Sequence, residues 1–316
     1  MMPWHRSTRP VISVGNLAMG GRGKTPTVAA IAQLLVAAGE RPAILSRGYG
    51  RRAPLEGVVV VSDGTHLLAD VDRSGDEPLM LARQVPGAAV LVCDVRAAAA
   101  ALAEERYNVT VHVLDDGFQH RSLKRHVDLV VVAPADLRDR RLPFGRLRSS
   151  PAALARAHAV LVDGAMTTDV SDAIESLAPS TRTKRFGLTR HSGDPWMLEP
   201  GRSAIPVDAP VVAMAAIAAP DRFKQALETH GWRVATLLGF PDHHPFTGRD
   251  VLRMARAMTA SGAQGVLTTE KDAMRLLPLR PLPVPVAAVP LRVSIEPEAE
   301  FGPWLLDTLR EVRARC

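Results

Sequence analysis

The chain has 316 residues, 47% hydrophobic and 23% charged, an ordinary globular composition that excludes disordered, collagenous and disulfide-scaffold classes. Two cysteines, Cys93 and Cys316, cannot build a disulfide framework, so a reducing, cytoplasmic setting is expected. The formal charge is +6, and only five of the 39 basic residues are lysine, leaving 34 arginines suited to bidentate phosphate contact. Aromatics are 4% and are not interleaved with basic residues, which disfavours nucleic acid as a partner. No apolar run is long enough to span a membrane, and the start, MMPWHRSTRP, lacks a signal-peptide core.

The first half alternates short apolar runs with helical patterns. Strands are expected at Val11–Val14, Ala43–Ser46, Ala89–Cys93, Val111–Leu114, Leu129–Ala133 and Ala159–Asp163. Helices are expected at Val28–Ala38 and Arg96–Glu105, and Gly57–Ser62 reads as a peripheral hairpin. Near-continuous apolar strands alternating with helices predict an α/β fold, a phosphate-loop NTPase-like doubly wound sheet. Residues 181–208 are polar and broken by glycine and proline, a linker with short strands. A second, smaller α/β domain is expected over 209–316, after a first domain over 1–180. Its elements are strands at Val211–Ile217, Arg233–Leu237, Gly265–Leu267 and Val284–Val289, and helices at Asp221–His230, Gly248–Ser261 and Pro303–Arg313.

The strongest motif is VISVGNLAMGGRGKTPT, a strand, a glycine-rich turn and a helix start. Such a loop turns successive backbone N–H groups toward the phosphates of a nucleotide. Ala18, Met19, Gly20, Gly21, Arg22, Gly23, Lys24 and Thr25 form it. Lys24 would neutralise phosphate charge and the Thr25 hydroxyl would ligate Mg²⁺. Ala18 stands where the general pattern has glycine. The second half of such a site is an acidic strand end, supplied by Asp115 and Asp116 in VTVHVLDDGFQH. Together these predict an Mg²⁺–nucleotide enzyme or switch. No guanine-specific loop is present, since TTEKDA places lysine and aspartate side by side, so adenine is favoured.

The ordered set PVISVGNLAMGGRGKTPT, ILSRGYGRR, SGDEPLMLA, LDDGFQHRSL, LPFGRLR, GFPDHHPFT and TTEKDAMRL resembles the tetraacyldisaccharide 4'-kinase family. The resemblance implies transfer of the γ-phosphate of ATP to the 4'-hydroxyl of a tetraacylated disaccharide 1-phosphate in lipid A biosynthesis. It implies work at the cytoplasmic face of the inner membrane, with an anionic membrane surface as partner. By resemblance, Lys24 and Thr25 are the phosphate-loop pair, and Asp115, Asp116 and Gln119 form the acidic, Mg²⁺-holding strand end. Asp76 activates the acceptor hydroxyl and His243 partners it.

A carboxylate taking the alcohol proton is sound chemistry for this transfer. GDEP also reads as a helix-capping turn, and Asp242, His243 and His244 as a metal cluster or as containing a buried structural histidine. Ser46, Arg47 and Tyr49 end a strand and face the expected ligand crevice, or form a glycine-rich turn with a packed tyrosine. Arg138, Arg140, Arg141, Arg146 and Arg148 form a basic stretch for a substrate phosphate or anionic lipid, or a solvated loop. Three positions depart from the family. Few residues precede Val11, Ser149 replaces a glutamate after Arg148, and Ala216-Ile217-Ala218-Ala219-Pro220 replaces a glycine-rich turn. The alternative class is a partitioning or metallochaperone-type NTPase, or a nucleotide-gated switch; neither needs the Asp76 and His243 motifs.

Overall fold

The computed structural model describes residues 7–21, 23–52, 57–120, 122–179 and 183–315. In chain order it begins β1 (Val11–Asn16), α1 (Lys24–Ala37), β2 (Pro42–Ser46), β3 (Val59–Asp63), α2 (Val71–Ser74), α3 (Asp76–Gln84), β4 (Ala89–Val92) and α4 (Arg96–Arg106). Then come β5 (Val111–Asp115), β6 (Val127–Val132), β7 (Ala159–Asp163), α5 (Thr168–Leu177), β8 (Lys184–Ser192) and β9 (Trp196–Met197). The rest is β10 (Pro210–Ala215), α6 (Pro220–Thr229), β11 (Arg233–Gly239), α7 (Gly248–Ser261), β12 (Gly265–Thr269), α8 (Glu270–Leu276), β13 (Val286–Val289), β14 (Leu291–Glu296) and α9 (Glu298–Ala314). Among the described residues no helix is long and apolar enough to cross a membrane.

The chain divides into two compact units. The first comprises residues 1–190 and 293–316, the second 191–292. In the first, strands pair in the order β14-β8-β7-β6-β1-β5-β2-β4-β3. β1 runs parallel to β5 on one side and to β6 on the other, while β3 alone is shown antiparallel, to β4. The chain leaves β1 toward β2 on one side and later fills β6 and β7 on the other. β1 is thus the point where the winding reverses, and ligands bind at carboxyl ends of such strands. Residues of β1, β2, β4, β5 and β6 are buried throughout, as expected of strands covered on both faces.

α1 starts because Gly23 adopts a left-handed φ of 79° and turns the chain into the helix. Val28, Ile31, Ala32 and Leu35 then bury one stripe. Gly15 permits the closest approach in this region: an added Cβ would lie 2.4 Å from Phe118 Cβ. The segment after β5 therefore folds directly onto the end of β1.

Two features differ from the expected division. Residues 184–192 are not linker but β8, parallel to β7 in the large sheet. Phe186 and Leu188 are buried there, but the exposed Thr189, Arg190 and His191 and the intervening Gly187 hide the strand pattern. The closing helix α9 belongs to the first unit. Phe301 meets Phe186 edge-on at 5.0 Å, and Arg313 holds Glu40 with bonds of 2.8 and 2.7 Å. Helices α2, α5 and α8 lie outside the expected elements, and α3 begins at the GDEP turn that also reads as a helix cap.

The second unit holds a sheet ordered β11-β10-β12-β13-β9, parallel except for β9. Its core gathers Val211, Ala213, Leu227, Trp232, Leu267 and Ala287.

Gly15→Ala should destabilise the first unit by about 1–3 kcal/mol, because the new methyl has no room beside Phe118. Urea unfolding checks this; a midpoint equal to wild type would show that the segment after β5 gives way freely.

Candidate active site

The phosphate loop lies at the carboxyl end of β1. Gly20 has φ 97°, and a Cβ added at Gly20 or Gly21 would meet no atom within 4 Å. That stretch is open to a ligand on its outer side. Ala18 does not need to be glycine: it is fully buried and pairs with Leu147 in an antiparallel bridge. Met19 N–H donates to Arg146 O at 2.8 Å, and Arg148 N–H to Leu17 O at 2.6 Å. Residues 146–148 therefore brace the outer flank of the loop. Thr27 Oγ1 donates to Gly23 O at 2.8 Å and secures the helix start. Arg22 lies outside the described residues.

Lys24 reaches back across the loop to Asn16 Oδ1 at 3.1 Å and Asp116 Oδ1 at 3.4 Å. Arg148 grips Asp116 with both Nη atoms, at 2.9 and 2.8 Å, and also reaches Asn16 Oδ1. Burial works to raise the Asp116 carboxyl, but the Arg148 bonds and Lys24 charge outweigh it and hold it below the usual carboxylate range. Asp116 has φ 54°, a left-handed conformation that turns it out of line with Asp115. The two neighbours thus face different surroundings.

Asp115 is buried and accepts from Ser46 Oγ at 3.2 Å. Burial first, and then the charges of Glu77 and Asp116, push its carboxyl up to about 7. Two neighbouring negative charges thus act on one buried carboxyl, a load that a divalent cation relieves. Gln119 Nε2 donates to Asn16 O at 2.8 Å and Ser149 Oγ at 3.2 Å, leaving its buried Oε1 without a hydrogen-bond partner. Thr25, at the first turn of α1, completes the donor set the sequence named. Mg²⁺ characteristically takes one or two carboxylates and completes its shell with phosphate and water, so a cage of three acidic or imidazole groups is not required. Among the described residues there is none.

Two motifs join this site through glycine. Gly48 and Gly75 have φ of 68° and 86°. A Cβ on Gly48 would lie 2.9 Å from Ser74 O, and one on Gly75 would lie 3.0 Å from Tyr49 O. The 46–50 turn and the start of α3 thus interlock by backbone. Asp76 is buried at the first residue of α3 and accepts from Glu77 N–H at 2.9 Å. Arg47 is exposed beside Asp94 at 3.5 Å. Tyr49 is exposed too, which removes the reading of a packed tyrosine. Arg96 is buried and donates to Cys93 O and Asp94 O; the charges of Asp115 and Asp116 work against the cost of burying it. Burial and the charges of Arg96 and Arg125 push His120 down to about 4, so it is neutral at neutral pH.

In the second unit, the AIAAP, FPDHH and TTEKDA segments meet at the carboxyl ends of β10 and β12. Asp272 is fully buried and accepts from Ala216 N–H at 3.0 Å and Thr269 Oγ1 at 2.7 Å. Arg275 donates to Asp272 at 2.5 Å, Ala216 O at 3.2 Å and His244 O at 3.1 Å. His244 stacks on Phe240 at 4.9 Å and lies 3.2 Å from Asp250, the structural histidine of the pair. His243 instead has φ 58° and turns its Nε2 toward Lys271 Nζ at 3.3 Å. A cation beside that nitrogen, and two rings facing different partners, are wrong for a metal cluster at 242–244.

The model of the family described as "LpxK: Tetraacyldisaccharide-1-P 4'-kinase" matches residues 1–310. The chain belongs to the tetraacyldisaccharide 4'-kinase family. It is accordingly a phosphotransferase acting on a hydroxyl group in lipid A biosynthesis. A relative named tetraacyldisaccharide 4'-kinase from Anaeromyxobacter sp. (strain Fw109-5) is 42% identical over 305 residues, covering 94% of this chain and 80% of the relative. One of the same name from Geobacter metallireducens is 41% identical over 279 residues, covering 86% and 80%. The crystal structure of an LpxK from Aquifex aeolicus, solved in complex with ATP, superposes with a TM-score of 0.75 at 30% identity. It covers 98% of this chain and 91% of that one.

Within the kinase core, the structure brings together Ser46, Asp115, Asp116, Gln119, Lys24 and Arg148. Arg148, expected at substrate, is engaged with Asp116 and Asn16 instead. Sequence reasoning passed over Asn16, Glu77 and Arg96. Asn16 carried a signal: it is the last residue of β1, at the switch point. Glu77 stood unremarked inside the GDEP motif and Arg96 carried no signal of its own, since each acts on Asp115 through its charge.

The folded protein keeps a proton on Asp115 up to about pH 7, whereas the unfolded chain releases it near 3.8, in the ordinary carboxylate range. The stability this proton contributes is complete below the unfolded value and is lost as pH rises through about 7. Asp115→Asn should flatten that fall in nucleotide- and metal-free protein. Denaturant titrations at about pH 5 and about pH 8 read it; an unchanged slope in the variant would assign the pH dependence elsewhere.

Proposed function

We propose that this kinase moves the γ-phosphoryl group of ATP to the sugar 4'-hydroxyl with Asp76 as base and His243 as its partner. Membership of the family supplies the substrate. What supports the reading in this molecule is the convergence of Lys24, Asn16, Asp116 and Arg148 directly behind an open phosphate loop.

In the free protein the two cations are stored on Asp116 and Asn16. A triphosphate in the loop offers them more negative charge than one shared carboxylate does. Lys24 is placed to move onto phosphate oxygens as charge develops there, and the backbone amides of Gly20, Gly21, Gly23 and Thr25 would face the same group. Thr25, Asp115, Asp116 and Gln119 fit an Mg²⁺ ion, which when bound supplies neutralisation of the phosphate oxygens. Arg148 holds Asp116 ionised, and Ser46 holds Asp115 in place by a hydrogen bond.

The acceptor hydroxyl must lose its proton as its oxygen bonds to phosphorus. Asp76 is a carboxylate held at the start of α3, next to Glu77, whose charge acts on Asp115. It takes that proton in our reading, and the bond from the γ-phosphorus to the bridging oxygen breaks, leaving ADP. His243 places its Nε2 3.3 Å from Lys271 Nζ. It serves as the partner that orients Asp76 or receives its proton. The acceptor carries acyl chains, so the enzyme works at the inner-membrane surface, peripheral to it and on the cytoplasmic side.

Lys24→Ala should abolish label transfer from radiolabelled ATP to dispersed tetraacyldisaccharide 1-phosphate; retained transfer would remove the loop from the mechanism. Release of label only as inorganic phosphate by the wild-type protein would favour an NTPase. Asp76→Asn should lower kcat by about 10²–10⁴, equivalent to roughly 3–5 kcal/mol of barrier. His243→Ala should resemble it, with the double variant no worse than the slower single. Additive losses would show two independent roles.

A further inference from the structure

The segment that delivers Arg148 also builds a feature the transfer chemistry does not use. Residues 139–147 double back on themselves. Leu147 N–H donates to Arg140 O, Leu142 N–H to Leu147 O and Phe144 N–H to Arg141 O, each at 3.0 Å. Asp139 braces both ends, accepting from Arg140 N–H at 2.7 Å and Arg146 Nε at 3.0 Å. A Cβ on Gly145 would lie 2.2 Å from Arg140 O, so glycine is what lets the turn close.

This held backbone presents apolar side chains to the outside. Phe144 is 84% exposed and Leu142 50%. Met19, tied to the segment by its bond to Arg146 O, is 57% exposed. Leaving a phenylalanine in water at the tip of an ordered turn forgoes burial that folding normally gains. Around these side chains Arg138, Arg140, Arg141 and Arg146 are also exposed. The acid within the loop, Asp139, is already engaged with Arg146. Apolar tips inside a ring of guanidinium groups match one partner in both parts. Its surface carries phosphate and its interior is hydrocarbon.

We infer that the 139–147 loop docks this chain on an anionic bilayer, with Phe144, Leu142 and Met19 entering the interface and the arginines meeting headgroup phosphates. The inference rests on the reading that the enzyme works at a membrane surface. The loop is fastened to the phosphate loop through the Ala18–Leu147 bridge and the Arg148 N–H to Leu17 O bond. Docking here brings the phosphate loop to the surface that holds a lipid acceptor.

Flotation of the full chain with phosphatidylcholine vesicles, with and without phosphatidylglycerol, tests this. The wild-type chain should bind the anionic vesicles, and added salt should weaken that binding. Phe144→Ser should lower partitioning about tenfold, and the Arg140→Gln/Arg141→Gln double variant about tenfold or more. Phe144→Ser should keep wild-type turnover on detergent-dispersed acceptor and lose it on acceptor in vesicles. If both variants float like wild type, the loop is overturned as the docking element while the membrane reading stands. Wild-type chain that binds neither vesicle overturns both. If the chain binds no vesicle and Phe144→Ser only disperses a dimer seen by light scattering, the face is a protein interface and the proposal falls.

Discussion

Asp116 carries a constraint on which the rest of the site depends. One carboxylate is shared by Lys24 and Arg148, both partly buried, at the carboxyl ends of β1 and β5. Two cations this close would otherwise repel each other. Asp116 and the Asn16 amide oxygen offset that repulsion without filling the loop. The cost falls on Asp115, which sits buried beside Asp116 and Glu77 and is forced toward its protonated form. The free site is therefore balanced around an excess of negative charge within and two cations at its edge. A nucleotide with a divalent ion answers both halves of that imbalance.

Backbone packing explains why such distant segments arrive together. Gly15 lets the turn after β5 lie against β1, and Gly48 and Gly75 let two motifs share one space. Residues 146–149 run along the phosphate loop and form backbone bonds with it. Arg148 is consequently delivered by a rigid strap rather than by a free side chain on a mobile loop. The same strap allows Ala18 to replace glycine, because that residue faces the core and pairs with Leu147. Ser149, where the family has glutamate, accepts from Gln119 and leaves the acidic set to Asp115, Asp116 and Glu77.

In the second unit the logic is structural. Asp272 and Arg275 form a buried pair whose remaining bonds go to the backbone of Ala216 and to His244 O. Such a pair is strongly destabilised by loss of either partner. It holds the turn after β10 and the FPDHH segment in one arrangement, without the glycines of the family turn. His244 belongs to that framework, whereas His243 is set apart by its left-handed backbone and its Lys271 neighbour.

Much was legible in the sequence, where a physical rule acts on neighbouring residues. Doubly covered strands read as apolar runs, and β1, β2, β5 and β7 lie where those runs fall. A loop that must wrap phosphate reads as glycines before Lys24 and Thr25, and the ordered motifs named the family. Other features depended on residues far apart in the chain. The placement of β8 and α9 in the first unit came from Phe186 meeting Phe301. The parting of Asp115 from Asp116, one raised and one lowered, came from burial and from Arg148, 32 residues further on. The exposure of Phe144 followed the same rule. Its letter predicts burial, and only the closed turn around Gly145 puts it outside, because backbone geometry there leaves the ring no interior to enter.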